Sequence, residues 1–169
     1  DLVSSGSGLA ALADLGAGDL ARVGEGLAEL ERDYGYLLMD CGAGIGVATL
    51  GFARAADLIL LVVTPDLTAL TDAYAVLKVL GLPRTGPVPW VLVNRAAGEA
   101  QGADAYERLA GVSRRFLGRV PGYLGWLPED PEVLLSVNGR TPLIERSPHA
   151  PAGRALSRLA VDLREALDA

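Results

Sequence analysis

Tyr36-Leu37-Leu38-Met39-Asp40-Cys41-Gly42-Ala43-Gly44-Ile45 is a short apolar run closed by a carboxylate and followed by a glycine-rich turn. Residues 36–40 have the length and composition of a buried strand. In an open parallel sheet, ligands bind beyond the carboxyl ends of the strands, so Asp40 stands where a ligand would sit. Nucleotide-hydrolysing α/β domains present a metal-linked carboxylate in this way. Such a side chain suits a magnesium ion that keeps part of its water shell. Gly42 and Gly44 let the backbone turn sharply and approach a phosphate with no Cβ in the way. From the residues alone, Asp40 serves equally well as the cap of a following helix. No GxxxxGK[ST] occurs, and the one lysine, Lys78, has no glycine-rich loop beside it. The usual phosphate-gripping loop is therefore absent from these 169 residues.

Outward from this stretch, apolar runs alternate with segments of helical period, the pattern of an α/β domain with a mainly parallel sheet covered by helices. Strands are expected at 36–40, 58–63, 89–94 and 122–125. Ile59-Leu60-Leu61-Val62-Val63 has no polar residue, as in a strand covered on both faces. Helices are expected over 19–32, after Thr64-Pro65-Asp66, around Tyr106 to Phe116, and over 152–168, where Leu156, Leu159, Leu163 and Leu167 share a face. Gly and Pro mark the connectors, Leu82-Pro83-Arg84-Thr85-Gly86-Pro87 among them, and residues 95–104, with Gly98 and Gly102, read as a mobile loop.

The chain starts at Asp1 and its only methionine is Met39, which reads as a processed chain or one cut from a longer protein. No apolar run reaches the roughly 20 residues of a membrane-spanning helix. One cysteine excludes an internal disulfide and suits a cytoplasmic setting. A net charge of −6 without a lysine and arginine cluster of the backbone-tracking kind makes direct nucleic-acid binding a poor expectation.

Other residues carry two readings each. Asn94-Arg95 ends the third apolar run. Its amide offers a donor and an acceptor to the edge of a purine, or satisfies its own backbone in a turn. Pro128-Glu129-Asp130 follows the fourth run and walls a base pocket, or forms a rigid turn with Asp130 as an N-cap. Cys41 lacks positive neighbours in sequence and reads as a small buried or half-buried side chain rather than a reactive thiol. His149, the only histidine, reads as a loop residue. The last helix mixes both charges on its polar face and reads as packed back on the domain rather than as a membrane-surface anchor.

Together these segments resemble the MinD/ParA group of P-loop ATPases, and within it the FlhG (FleN, YlxH) proteins that regulate flagellar number and placement. YLLMDCGAGI resembles the family's Walker B and switch II segment, usually DTGAGI. VVTPDLTALTDAYAVLKVL resembles VTTPEPTALTDAYALIKVL. WVLVNRA, RLAGVSRRFLG, LGWLPEDPEV and RTPLIERSPHAPAGRAL follow in the family's order, so the match runs from about Val3 to Leu163. The resemblance implies a Rossmann-like P-loop NTPase fold in a single partial nucleotide-binding domain over 1–169, a C-terminal portion whose P-loop strand and helix are missing. It implies ATP and Mg2+ as cofactors. Asp40 matches the Walker B aspartate, holding Mg2+ through water. Gly42, Ala43 and Gly44 match the γ-phosphate-sensing turn, Asn94 and Arg95 the adenine contact, and Pro128, Glu129 and Asp130 the loop lining the base. The parent would be a nucleotide-dependent homodimer with a flagellar or division-site protein partner and peripheral contact with the inner face of the cell membrane. Cys41 replaces the usual Thr, Asp66 replaces the usual Glu, and the family's KGGxGKT loop has no counterpart, so these residues alone are expected not to hydrolyse ATP. Two rivals stand beside this reading. One is a P-loop-less interaction protein of the same fold. The other is a ParA-like DNA-partitioning ATPase.

Overall fold

The computed structural model describes residues 17–81 and 88–168. The chain divides into two compact units, the first ending at Ala55 and the second beginning at Ala56. The 82–87 connector and the residues before Ala17, Val3 included, lie outside the described residues.

The first unit holds α1 (Ala17–Leu30) and α2 (Val47–Ala55). The helix expected over 19–32 is α1, shifted by two residues at each end. Residues 36–40, expected as a strand, form none. Leu38 is 91% exposed and Tyr36 57%. An apolar run becomes a strand only where a neighbour takes up its N–H and C=O groups, and no described strand pairs with this one. Asp40 therefore lies on an exposed irregular segment rather than at a strand end. Cys41 is exposed too, against its expected burial. Partial desolvation and, secondarily, the charge of Asp40 push its thiol pKa up, so the side chain is not an activated thiolate. The nine-residue α2, with Gly51 at its middle, lacks the periodicity that would announce it.

The second unit runs β1 (Leu60–Val63), α3 (Leu67–Leu80), β2 (Trp90–Ala96), α4 (Glu99–Leu117), β3 (Gly122–Pro128), α5 (Pro131–Asn138), α6 (Leu143–Arg146) and α7 (Pro151–Asp168). The strands are parallel in the order β1-β2-β3. Two successive right-handed crossovers in the same direction place α3 and α4 on one face. Val63, Leu77, Val91, Val93 and Leu109 form the core there. Leu92 and Leu124 pack against Leu159 of α7 on the other. The last helix thus packs back on the sheet, as expected. Among the described residues no helix is long and apolar enough to cross a membrane.

The pairing of β2 with β3 slips between Val91 and Leu92. Val91 faces Tyr123, but Leu92 faces Gly125, so Leu124 is an extra residue on β3. Simple alternation from Tyr123 would put Gly125 and Leu127 on the α3/α4 side. With the extra residue, Tyr123 and Trp126 pack on that side while Leu124 and Leu127 pack with α7. Gly125 carries the irregularity at φ +134°, and a Cβ there would come within 2.9 Å of Leu159 Cδ2. Tyr123 stacks on Tyr106 with ring centroids 4.5 Å apart, and Tyr106 donates its hydroxyl hydrogen to the Pro121 carbonyl at 2.9 Å.

The 95–104 stretch is not a mobile loop. β2 continues to Ala96, α4 starts at Glu99, and Gly102 is buried in that helix. A Cβ on Gly102 would lie 2.7 Å from Trp126 Cβ, so this glycine permits close helix-to-sheet contact rather than motion. Gly102→Ala is therefore expected to destabilise. Alanine gains about 1 kcal/mol of helix propensity, and overpacking against Trp126 costs about 1–3 kcal/mol. A urea midpoint below that of the unsubstituted chain is the expected result; a higher one would show that β3 yields freely.

Candidate functional site

The carboxyl ends of the three strands meet at one edge of the second unit. Thr64-Pro65-Asp66 leaves β1, Asn94 and Arg95 lie near the end of β2, and Pro128-Glu129-Asp130 leaves β3. The β2–β3 pairing slips a second time here. Val93 faces Trp126 and Ala96 faces Pro128, so β2 takes three steps to β3's two. Alternation from Val91 and Val93 would bury Arg95. The slip buries Ala96 in its place and leaves Arg95 exposed. Arg95 adopts a left-handed backbone, φ +58°, and its N–H donates to Asn94 Oδ1 at 2.9 Å.

Across this edge Arg95 Nη2 donates to Glu129 Oε1 at 2.8 Å. The side chains are 66% and 64% exposed, so solvent screens the pair and it adds little to stability. Its consequence is geometric, because it ties the β2 and β3 ends together. The Glu129 N–H to Ala96 carbonyl bond at 3.1 Å does the same through the backbone. The hydrogen bond to Glu129, and then its charge, raise the Arg95 pKa further.

Asp66 caps α3. Its Oδ1 accepts from Ala69 N–H at 2.9 Å, and its Oδ2 accepts from the Thr64 hydroxyl at 2.5 Å. These bonds, the Thr64 one foremost, lower its pKa. A lowered folded pKa means that the stabilisation is present above the ordinary carboxylate range and is lost as pH falls through the folded value. Gln101 Oε1 accepts from Ala97 N–H at 2.7 Å. Thr64, Pro65, Asp66, Arg95, Ala97, Gln101 and Glu129 line an open depression of about 430 Å³.

Asp130 does two jobs with one carboxylate. Oδ1 accepts from Glu132 N–H at the start of α5, and Oδ2 accepts from Ala152 N–H at the start of α7, both at 3.0 Å. Nearby, the Ser147 hydroxyl donates to Glu132 Oε2 at 2.6 Å, tying the turn before α7 to α5.

Of the residues singled out from sequence, Asn94, Arg95, Pro128, Glu129 and Asp130 share this edge. Asp40, Gly42, Ala43 and Gly44 belong to the first unit, on the irregular segment between α1 and α2, with Gly44 at φ +105°. Among the described residues no three His, Cys, Asp or Glu side chains converge as a metal site. Thr64 and Asp66 were read only as the start of a helix, and Gln101 not at all, so none of the three was a candidate site residue. The first two close an apolar run as Asn94 does, so the same argument reaches them; Gln101, inside a helix, carries no such signal. His149 lies in an exposed turn, as expected.

No family model matches the chain. It is 30% identical to the antiactivator FleN of Pseudomonas aeruginosa over 94% of its own length and 57% of FleN. It is 32% identical to a putative septum site-determining protein MinD of Nephroselmis olivacea, over 77% of the chain and 46% of that protein. A ParA family ATPase from Chlorobium tepidum superposes with a TM-score of 0.72 over 96% of the chain and 62% of its own length, at 19% identity. The chain belongs to the MinD/ParA family. Within that family its likeness is to the FlhG type, which also includes the flagellum site-determining protein YlxH of Helicobacter pylori, 36% identical over 53% of the chain and 30% of YlxH. The Pyrococcus furiosus cell division ATPase MinD shares the MinD/ParA fold, with a TM-score of 0.69 over 87% of the chain and 59% of that structure at 22% identity. The chain spans about half the length of the curated relatives it matches, or less.

Two outcomes are expected of this edge. At Arg95, glycine fits the left-handed backbone, whereas valine adds about 1–2 kcal/mol of strain; denaturation should rank Arg95→Gly above Arg95→Val. Asp130→Ala removes two caps of about 1 kcal/mol each. Hydrogen exchange should quicken at the first turns of both α5 and α7, and quickening at α5 alone would show that the second bond carries nothing.

Proposed function

We propose that this chain is part of a MinD/FlhG-like regulator of flagellar number or placement, and that it contributes the base side and one metal-linked carboxylate of a Mg-ATP site. The observation that carries this reading is the likeness to FleN over 94% of the chain, spanning both the Asp40 segment and the strand-end cluster. The 430 Å³ depression falls in the size range of small-molecule sites, roughly 300–1,000 Å³. Its polar lining, the Arg95–Glu129 pair with Asp66 and Gln101, suits a nucleoside. Arg95 and Glu129 line that depression, and Asn94, Pro128 and Asp130 stand at the same edge, where the family resemblance puts the base. Asp40 holds Mg2+ through water, beside the Gly42-Ala43-Gly44 turn. Asp130 acts indirectly, since both its oxygens hold helix starts.

Bound Mg2+ would neutralise phosphate charge, and the protein's share of catalysis is positioning and charge stabilisation. The parent works in the cytoplasm as a nucleotide-dependent homodimer, meets a flagellar or division-site partner, and touches the membrane peripherally. The net charge of −6 weighs against the DNA-partitioning alternative.

The test is magnesium-dependent ATP turnover in the natural polypeptide that carries these residues. Asp40→Asn is expected to cut kcat by about 100-fold, and Asn94→Ala to weaken ATP binding by about tenfold, the effect of one lost hydrogen bond. The 169-residue chain alone should release no phosphate. Turnover by that chain, or an Asp40→Asn protein at full rate, would sink the reading.

A further inference from the structure

The segment Arg108–Arg119, RLAGVSRRFLGR, belongs to the family resemblance but takes no part in the strand-end site. It forms the second half of α4 and the turn after it. That helix buries Gly102, Ala105, Leu109, Ala110 and Ser113. Along one flank of this buried face run Arg108, Val112, Arg115 and Phe116, at the spacings of successive helical turns. Phe116 is 63% exposed and Val112 is exposed as well. The Arg115 guanidinium lies over the Phe116 ring, with Cζ 5.1 Å from the centroid.

Between 108 and 119 there are four arginines and no carboxylate, in a chain of net charge −6. Arg108 is paired with Asp104 at 2.7 Å. Among the described residues Arg114, Arg115 and Arg119 make no ion pair. Basic residues at a helix C-terminus offset its dipole, which accounts for some of this charge. It gives no reason for a phenylalanine held in solvent under an arginine.

We propose that this flank of α4 docks an acidic segment of a partner protein. An apolar side chain of the partner rests on Phe116 and Val112, and a carboxylate beside it meets the guanidinium group of Arg115. The planar fork of arginine matches a carboxylate with two parallel hydrogen bonds. A membrane surface fits less well. A membrane-lying helix inserts a continuous apolar face, whereas that of α4 is buried in the protein and leaves only Val112 and Phe116 outside. A nucleic-acid backbone fits less well too, because a run of phosphates offers no apolar side chain to the exposed Val112 and Phe116. The surface is independent of the proposed nucleotide site and is expected to work without ATP.

The experiment is fluorescence anisotropy of the 169-residue chain, without nucleotide, against a labelled peptide of repeated Glu-Glu-Leu-Phe blocks. A peptide with Lys in place of Glu and phosphatidylserine vesicles serve as comparison probes. The acidic peptide is expected to bind, more weakly as salt rises. Arg115→Glu and Phe116→Ser should each weaken it by roughly tenfold or more. Arg158→Glu, exposed on α7, should leave binding unchanged. Circular dichroism checks the fold of each variant, and Val112→Asp replaces either one that unfolds. Equal binding by the Arg115→Glu and unsubstituted chains, no binding of the acidic peptide, or a preference for the vesicles lost in the same variants would each overturn the proposal.

Discussion

In a parallel sheet covered on both faces, each strand residue is committed to one face or the other by a two-residue period, and a shift of one position exchanges the faces. β2 and β3 each carry one extra residue against the other, at Asn94–Arg95 and at Leu124. The offset in β3 sends two aromatic rings to α4 and two leucines to α7. The offset in β2 exchanges an arginine for an alanine in the core. Without the second, a guanidinium would be buried among Val91, Val93 and Leu109, at a cost of several kcal/mol. The two core clusters and the exposed Arg95 therefore depend on where the pairing slips.

The strand-end cluster is a by-product of the same geometry. Arg95 and Glu129 are exposed and their ion pair is weak, so little of the unit's stability resides in that contact. What the fold supplies is position. Three parallel strands end at one edge, Asp66 pins the start of α3, and the Arg95–Glu129 contact closes the gap between the neighbouring strand ends. A site built this way can change ligand-contacting residues without disturbing the core beneath it.

Much of the second unit was legible because burial writes itself into sequence. The runs at 58–63, 89–94 and 122–125 lie on the three strands, and the leucine spacing of 152–168 marks α7, but the first run is not covered on both faces as its composition implied, since Val62 is 53% exposed. The failures have a common cause in information held by neighbours. Residues 36–40 have a strand's composition, but composition does not carry the presence of a pairing strand. Gly98 and Gly102 read as freedom until Trp126 is seen pressing on Gly102. Asn94 and Arg95 were picked out from their place at the end of an apolar run, yet the backbone slip that exposes Arg95 has no mark of its own. The Asp130-Pro131 pair announced a helix start. Nothing in it announced that the same carboxylate reaches a second helix 22 residues further on.

That shared carboxylate makes the Pro128–Asp130 loop a mechanical joint. The first turns of α5 and α7 hang from its two oxygens, one from each, so the helices cannot fray as independent events. Anything that draws Glu129 toward a ligand pulls on the next residue in the chain. The disturbance arrives at both helix starts together, and through α7 at the far face of the sheet. The strand ends and the long terminal helix thus share a direct hydrogen-bonded connection through one side chain.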